Sequence, residues 1–490
     1  MDYLESTVRL VILTSVSITF ISGCANLGIL SKYNPEPTQV SVQDFTFEQS
    51  SWEELTSIEL PTTDWIGSFN DLTLTRLVNE ALEANTNIKA SAARLDAAWA
   101  QFRIARAERL PTIDTNSRIT RTETSLPFVT PTNLSSGVSA NWEVDLWGRI
   151  KSTTTSNELA ADAIQADYAG ARLSIAGQVT LRWFDLIEAR LLSELSARDV
   201  NTLEQALQLT QRRFDGGVSG LSDVSLAKSS FANAQALQAI REQTLSELTR
   251  SLEILLRRYP AEEIQAAEDL PTLPPLLGAG TPENVLRKRP DLLAAEKRLY
   301  AQGLQVDVAR KNLLPRLSFT ANGSISSTTF ADFLDIESLA ITMISNFSAP
   351  LYQGGRLRAN IKQQEANLKE QLETYAGIAL NAFLEVENAL DAEQRLLNQE
   401  TALTVSLNEA KNAEKRIEIR YKEGLATILQ FLDAQSRRIS AEGQLISARK
   451  ERLSNRVRLH LALGGGFETG VEVSSNDVGS LSALSGGGIP

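Results

Sequence analysis

The 490-residue chain contains one cysteine, Cys24, and one histidine, His460. A single cysteine cannot form an internal disulfide bond, so packing or assembly must stabilise the fold. The sequence also lacks a metal-ligand cluster, a nucleophile elbow and a phosphate-binding loop. These absences predict that the chain is not an enzyme and that it uses neither a metal nor a cofactor. His460, near the end of the last helical pattern, is expected to pack or to cap.

Proline and aromatic residues are also scarce, with 15 prolines and 6% Phe, Trp and Tyr. Ala, Leu, Ser, Glu, Gln and Arg dominate instead, which favours long helices packed through small residues. The net charge is -12, and the sequence has no basic patch of the kind that binds phosphate groups. Nucleic acid is therefore excluded as a partner.

The amino terminus carries an apolar run that is too short to span a membrane. This run, in "LVILTSVSITFISGC", ends at Cys24 and is typical of a secretory signal. Its end, "ISGC", resembles a bacterial lipobox, which predicts a signal peptide over 1–23 and a lipid on the Cys24 sulfur. The alternative is a small buried cysteine in an ordinary signal sequence. Asp2 and Glu5 depart from the usual basic start.

Two segments at the ends of the chain are expected to lie outside the packed fold. Residues 24–64 are rich in Pro, Ser, Thr and Glu, and they predict a lipidated tether. Residues 466–490 predict a disordered tail.

One phrase occurs twice, 207 residues apart. "RFDGGVSGLSDVSLAK" (213–228) and "RYKEGLATILQFLDAQ" (420–435) each pair Arg and an aromatic residue with a Gly at the fifth position. Each phrase predicts a helix, a tight turn and a second helix. Arg213 and Arg420 are expected to bond the carbonyls that end their helices. Gly217 and Gly424 are expected to supply a positive φ.

Further matches extend this repeat across the chain. "ARAERLPTID" (105–114) matches "ARKNLLPRLS" (309–318) at an offset of 204 residues. The chain therefore divides into a first repeat, 65–275, and a second, 276–465. Each repeat is predicted to contain a helix, two strands, a long helix, a turn and a last helix.

Apolar and small residues predict the two long helices. They recur at alternating spacings of four and three, which is a heptad seam. Each helix is predicted to run for about 65 residues, or about 100 Å. Such helices form a coiled-coil stalk or the wall of a tube. The first seam is Leu159, Ala163, Ala166, Gly170, Leu173, Gly177, Thr180, Phe184, Ile187 and Leu191.

Four segments of near ten residues alternate apolar and polar side chains. They lie at 112–120, 137–146, 317–326 and 339–351. This pattern is typical of transmembrane β-strands with a wet interior, and a half-buried soluble sheet is the alternative. Glu143 and Asp145 lie on the polar side and are predicted to face a barrel lumen. Four strands cannot close a barrel, so two chains would give eight strands, and three would give twelve strands and a lumen.

These motifs resemble the TolC family of outer-membrane channels, in particular its lipoprotein branch of OprM-like and NodT-like factors. The resemblance covers nearly the whole chain. It depends on "NWEVDLWGR" (141–149), "LRKRPDLLAAEKRL" (286–299), "LLPRLSF" (313–319), "APLYQGGRL" (349–357) and the repeated turn.

The resemblance implies an α+β membrane protein that assembles as a homotrimer. Its twelve-stranded β-barrel would lie in the bacterial outer membrane, lipid-anchored and joined to an α-helical barrel in the periplasm. It would serve efflux or type I secretion as a passive duct, reached from an inner-membrane RND or ABC pump through a periplasmic adaptor, the membrane fusion protein. The alternative is a lipidated periplasmic coiled-coil adaptor or scaffold without a pore.

The resemblance also assigns roles to the two turns, which would lie at the periplasmic tips. Leu429 and Asp433 match positions that line the closed entrance, where a three-fold ring of Asp433 would favour bound cations. The alternative for Asp433 is an ordinary intersubunit or capping contact. The residues expected to contact the adaptor are Val218, Ser219, Leu425 and Ala426.

Overall fold

The computed structural model describes residues 65–122, 132–275, 287–333, 335, 337 and 339–465. The predicted signal peptide, Cys24, the tether over 24–64 and the tail over 466–490 lie outside these residues. No helix within the described ranges has an apolar stretch long enough to cross a membrane.

The two repeats contain the same main elements in the same order. The first repeat contains α1 Leu72–Ala84, α2 Thr86–Ala107, β1 Thr112–Arg121, β2 Thr132–Val144, α3 Arg149–Asp215 and α4 Leu221–Leu255. The second repeat contains α5 Pro290–Lys311, β3 Arg316–Ser327, a single-turn α6 Phe330–Phe333, β4 Leu339–Ser348, α7 Arg356–Lys422 and α8 Ile428–Ala462.

Equivalent helices also have equal lengths. The pairs α2 and α5, α3 and α7, and α4 and α8 have 22, 67 and 35 residues per helix. Both long helices begin at the Arg of a Gly-Arg pair, which is Gly148-Arg149 in the first repeat and Gly355-Arg356 in the second. The sequence prediction has one helix before the strands of each repeat, whereas the first repeat has two, separated by Asn85.

The four strands form one antiparallel sheet in the order β1-β2-β3-β4. The register places Trp142 opposite Phe319, and their rings stack with centroids 6.4 Å apart. It also places Ala321 opposite Met343 and Gly323 opposite Ile341. Five exposed apolar side chains therefore lie on one face of the sheet, as expected from the two-residue period of strands. They are Val138, Trp142, Phe319, Ile341 and Met343. This sheet belongs to a compact unit of residues 101–159 and 299–371.

Most of the helical residues form a second compact unit, which includes residues 160–298, most of α7 and all of α8. Its largest core packs α1 and the residues before it against the middle of α3 and the end of α4. Asp71 caps α1 by accepting the N–H groups of Thr73 and Leu74, and it also accepts the indole N–H of Trp183 at 2.7 Å. Phe184 and Ile187 of the predicted seam are fully buried.

Equivalent residues of the two repeats hold the ends of equivalent helices. The Asn85 amide donates to the Leu255 carbonyl at 2.7 Å, at the end of α4. Arg289, 204 residues further on, donates to the Ala462 carbonyl at 3.0 Å, at the end of α8. Arg289 also pairs with Glu385 of α7 at 2.6 Å. The carbonyl at the end of the last helix is therefore bound by an amide, from Asn85, in the first repeat and by a guanidinium, from Arg289, in the second.

Candidate functional site

The two predicted turns end α3 and α7 with the same backbone geometry. Gly217 and Gly424 have φ values of 73° and 81°, in the left-handed region that glycine adopts without a steric penalty. The N–H of Val218 donates to the Arg213 carbonyl at 2.8 Å, and the N–H of Leu425 makes the equivalent bond at 2.8 Å. Each helix therefore ends in a Schellman motif.

Arg213 joins the two hairpins, which the sequence prediction did not anticipate. Its guanidinium donates to the Tyr421 carbonyl at 2.6 Å and lies 4.9 Å from the centre of the Tyr421 ring. The expectation that Arg213 bonds the end of its own helix was therefore wrong. Arg420 differs, because it reaches the Leu425 carbonyl of its own turn at 3.4 Å.

A small buried cluster connects the same two hairpins behind the turns. The Tyr421 hydroxyl lies 2.7 Å from the Thr210 hydroxyl, and the Tyr421 ring stacks on Phe431 with centroids 5.5 Å apart. Ala206, Ala227 and Ile428 complete this cluster. The two tips are therefore held together by hydrogen bonds, a cation–π contact and apolar packing.

The four predicted docking residues are not equally accessible. Val218 and Leu425 are exposed at the tips. Ser219 is half-buried, and its hydroxyl donates to the Thr210 carbonyl at 3.3 Å, while Ala426 packs against the buried cluster. Leu221, which the sequence prediction did not include, is also exposed. The sequence could have indicated Leu221 as a residue of the tip, because it lies at the start of α4, directly after the turn.

The predicted gate residues Leu429 and Asp433 are both exposed on α8. Asp433 pairs with Arg437 at 2.9 Å, one helical turn further on. The hydrogen bond from Arg437 to this carboxylate raises the pKa of the guanidinium. Arg437 was missed, although its spacing of four residues from Asp433 is that of a helical ion pair.

The neighbouring Arg438 points into the helical unit and pairs with three carboxylates. It lies 2.8 Å from each of Asp199 on α3, Glu414 on α7 and Glu442 on α8. Burial raises the pKa of Asp199 and of Glu414, although Arg438 acts in the opposite direction. One cation therefore holds three helices together.

Of the two residues predicted to face a barrel lumen, Glu143 lies within a strand and Asp145 lies after its end. Glu143 lies in β2 and pairs with Arg149 at 2.8 Å. Strand β2 ends at Val144, so the prediction of a strand through residue 146 was wrong. The Asp145 carboxylate instead accepts the N–H groups of Ile150 and Lys151, at 3.0 and 2.7 Å. It thus binds the free N–H groups in the first turn of α3.

His460 is buried on α8, and its ring stacks on Trp65 with centroids 5.4 Å apart. Neither ring nitrogen has a hydrogen-bond partner among the described residues. Burial, with a further effect from Arg456, lowers the pKa of His460 to about 4. This environment is that of a neutral packing residue.

An antiparallel sheet with one exposed apolar face, together with a unit of paired long helices, defines an outer-membrane channel protein. The family described as "Outer membrane efflux protein" matches residues 77–256 and 281–465. The chain belongs to this family.

Named relatives and a solved structure agree with this assignment. The chain is 29% identical to outer membrane protein OprJ of Pseudomonas aeruginosa, over 84% of this chain and 88% of OprJ. It is 25% identical to the probable outer membrane lipoprotein SilC of Salmonella typhimurium, over 93% of this chain and 98% of SilC. The open-state MtrE outer membrane channel of Neisseria gonorrhoeae matches with a TM-score of 0.73 and 27% identity, over 81% of this chain and 90% of MtrE.

Proposed function

We propose that three copies of this chain form a passive exit duct of an efflux or type I secretion system. The observation that carries this proposal is the four-stranded sheet, in which β1 and β4 each have one neighbouring strand within the described residues. An unpaired strand edge in lipid costs several kcal/mol for each backbone group. Three sheets joined edge to edge give twelve strands, a closed barrel and a lumen lined by the polar face.

The helical hairpins would reach a periplasmic adaptor at their tips, and the adaptor would connect the duct to an inner-membrane RND or ABC pump. The exposed Val218 and Leu425 support this role, because apolar side chains at a tip provide area for a partner. Ser219 and Ala426 would act mainly by fixing the shape of the tips, since both are partly buried.

The proposal is tested on the full protein purified in detergent. Light scattering gives the mass of the particle, and planar lipid bilayers give its conductance. A particle of three chains with stable conductance is expected. A protein that stays in the membrane fraction but has no conductance would instead support a lipidated periplasmic adaptor or scaffold.

The entrance is expected to depend on Asp433. In a three-fold ring, each Asp433 would lie beside Arg437, so Asp433→Ala leaves three arginines without their partners. We expect Asp433→Ala to raise the basal conductance and to reduce the preference for cations, both measured in bilayers. Leu226→Ala is the matched control, because Leu226 is the equivalent residue of the first hairpin. An unchanged conductance in an assembled Asp433→Ala trimer would remove Asp433 from the gate.

Cys24 is proposed as the lipidation site, because it ends the "ISGC" sequence, in which cleavage is expected between Gly23 and Cys24. Metabolic labelling with a radioactive fatty acid is expected to mark the protein in cells, and Cys24→Ser is expected to abolish the label. The variant is still expected in the outer membrane, because one lipid anchor is weak beside a barrel. A label that persists in Cys24→Ser would contradict this assignment.

A further inference from the structure

The side chains on the polar face of the sheet form rows that cross the strands. Most of them carry hydroxyl or amide groups, and some of these bind one another. The Thr320 hydroxyl, for example, donates to the Asn141 amide oxygen at 3.0 Å. One row contains a carboxylate among neutral groups, namely Asp114, Ser139, Asn322 and Thr342. Another row contains a guanidinium among neutral groups, namely Arg118, Ser135 and Ser326.

Four charged side chains lie on this face within the described strands, and two of them have partners. Glu143 and Arg316, at the end of the sheet that joins the helices, each have a partner at 2.8 Å. The other two, Asp114 and Arg118, are exposed. Neither side chain has an ion pair or a hydrogen bond with another described residue. Asp114 and Arg118 are therefore the charges on this face that are available to a solute.

Asp114 and Arg118 lie at different depths along β1. The strand begins at Thr112, shortly after the end of α2, so Asp114 lies near the helices and Arg118 lies towards the opposite end of the sheet. Four residues of an antiparallel strand span about 14 Å, whereas the Debye length at physiological ionic strength is about 8 Å. The carboxylate therefore does little to neutralise the guanidinium, and each group acts separately on nearby ions.

We propose that three Arg118 side chains form a ring in the lumen that binds the anionic groups of cargo, carboxylates and phosphates, at the end of the barrel away from the helices. This inference rests on the proposed trimer, because each chain contributes one Arg118. The three Asp114 carboxylates form a ring of opposite sign nearer the helices. A lumen with walls of low dielectric constant focuses the field of such rings, and rings of charged side chains determine which ions a channel favours.

The surroundings of Arg118 favour an anion as the ligand. A guanidinium stays charged at physiological pH, and its N–H groups match the oxygens of carboxylates and phosphates. Asn116 and Thr120, its neighbours on the same face of β1, are neutral, as are Ser135 and Ser326 across the sheet. The described part of this row thus presents a cation without a carboxylate to compete for it.

Pyrophosphate, a small anion with several negative charges, tests this site on the full protein in planar lipid bilayers. It is added to both sides of the membrane at about 0.1 M KCl, where the Debye length is about 10 Å. We expect it to reduce the conductance of the unaltered channel. Because Arg118→Gln removes three cations from one ring, we expect the concentration that halves the conductance to rise about tenfold or more.

Three variants on the same strand separate charge from structure. Arg118→Lys keeps the positive charge and is expected to stay within about threefold of the unaltered channel. Thr120→Gln changes a neutral side chain on the same face and is expected to have no effect. Asp114→Asn is expected to lower the half-blocking concentration about twofold at 0.1 M KCl and to leave it unchanged at 1 M KCl, where the Debye length is about 3 Å.

Equal block of the unaltered channel and of Arg118→Gln would overturn the anion ring. Arg118→Lys as insensitive to pyrophosphate as Arg118→Gln would also overturn it, because the charge is then not the cause. If Arg118→Gln does not assemble, the effects of Arg118→Lys and of Asp114→Asn at the two salt concentrations decide. A conducting trimer that pyrophosphate does not block would overturn this inference alone, whereas unaltered protein without trimer or conductance would overturn the proposed function as well.

Discussion

Replacing Arg438 with methionine is expected to lower the free energy of unfolding by about 3 to 5 kcal/mol, the cost of removing one partner from a buried ion pair. Arg438 is only 12% exposed, and it is the shared cation of Asp199, Glu414 and Glu442. Methionine keeps much of the side-chain volume but leaves three carboxylates close together in a partly desolvated site. Urea denaturation of the detergent-solubilised protein at fixed concentration measures the loss.

The adjacent arginine provides the matched control. Arg437 is 74% exposed and pairs only with Asp433 among its described ion pairs. Arg437→Met is expected to change the free energy of unfolding by less than about 1 kcal/mol, because exposed ion pairs contribute little. Equal losses for the two variants would show that the buried cluster does not hold the helices together.

The pH dependence of Arg438→Met has a definite sign. Burial already raises the pKa of Asp199 and of Glu414 in the folded state, and removal of Arg438 is expected to raise both further. The folded variant then binds more protons than the unfolded chain, so its stability falls as the pH rises. The loss relative to the unaltered protein is therefore expected to be smaller at pH 5 than at pH 8.

The protein is also expected to lose about 3 kcal/mol of stability between pH 6.5 and pH 4 through His460, since each pKa unit corresponds to about 1.4 kcal/mol. The pKa of His460 is about 4 in the folded state, against an ordinary value of 6.5 for histidine. Between these values the unfolded chain binds a proton that the folded protein does not bind. Stability therefore falls as the pH is lowered through this window and is unaffected by His460 above it.

His460→Leu isolates this contribution from the other titrating groups. Leucine removes two ring nitrogens that have no partner among the described residues and is expected to keep apolar contact with Trp65. The difference in unfolding free energy between the two proteins, measured from pH 4 to pH 7.5, is expected to grow as the pH falls. If this difference does not change with pH, the pKa of His460 in the folded protein lies near its ordinary value.

Periodicity allowed most of the fold to be predicted from the sequence. The recurring spacings of four and three identified α3 and α7, because a long helix shows its period many times. Strand ends were less predictable. The boundary of β2 depends on Asp145, whose carboxylate binds the start of α3, and alternation alone cannot show such a contact.

Contacts between distant segments could not be predicted from local pattern. Arg213 and Tyr421 are 208 positions apart, and only the folded hairpins bring the guanidinium to the carbonyl and the ring. The Arg438 cluster depends in the same way on three helices. The pair of Asp433 and Arg437 was different, since both residues lie on one helix at a spacing that the sequence displays.

The hydrogen bonds that hold the ends of α4 and α8 differ in their response to salt. Asn85 holds the Leu255 carbonyl through neutral groups alone. Arg289 holds the Ala462 carbonyl and also pairs with Asp291 and with Glu385, whose side chain is 57% exposed. Dissolved salt screens exposed charges more than buried ones, so rising ionic strength would weaken the Glu385 contact and leave the bond from the buried Arg289 to Ala462 in place. The residue of α3 equivalent to Glu385 is the neutral Gln178, so salt would act on the attachment to α7 in the second repeat and not on its counterpart in the first.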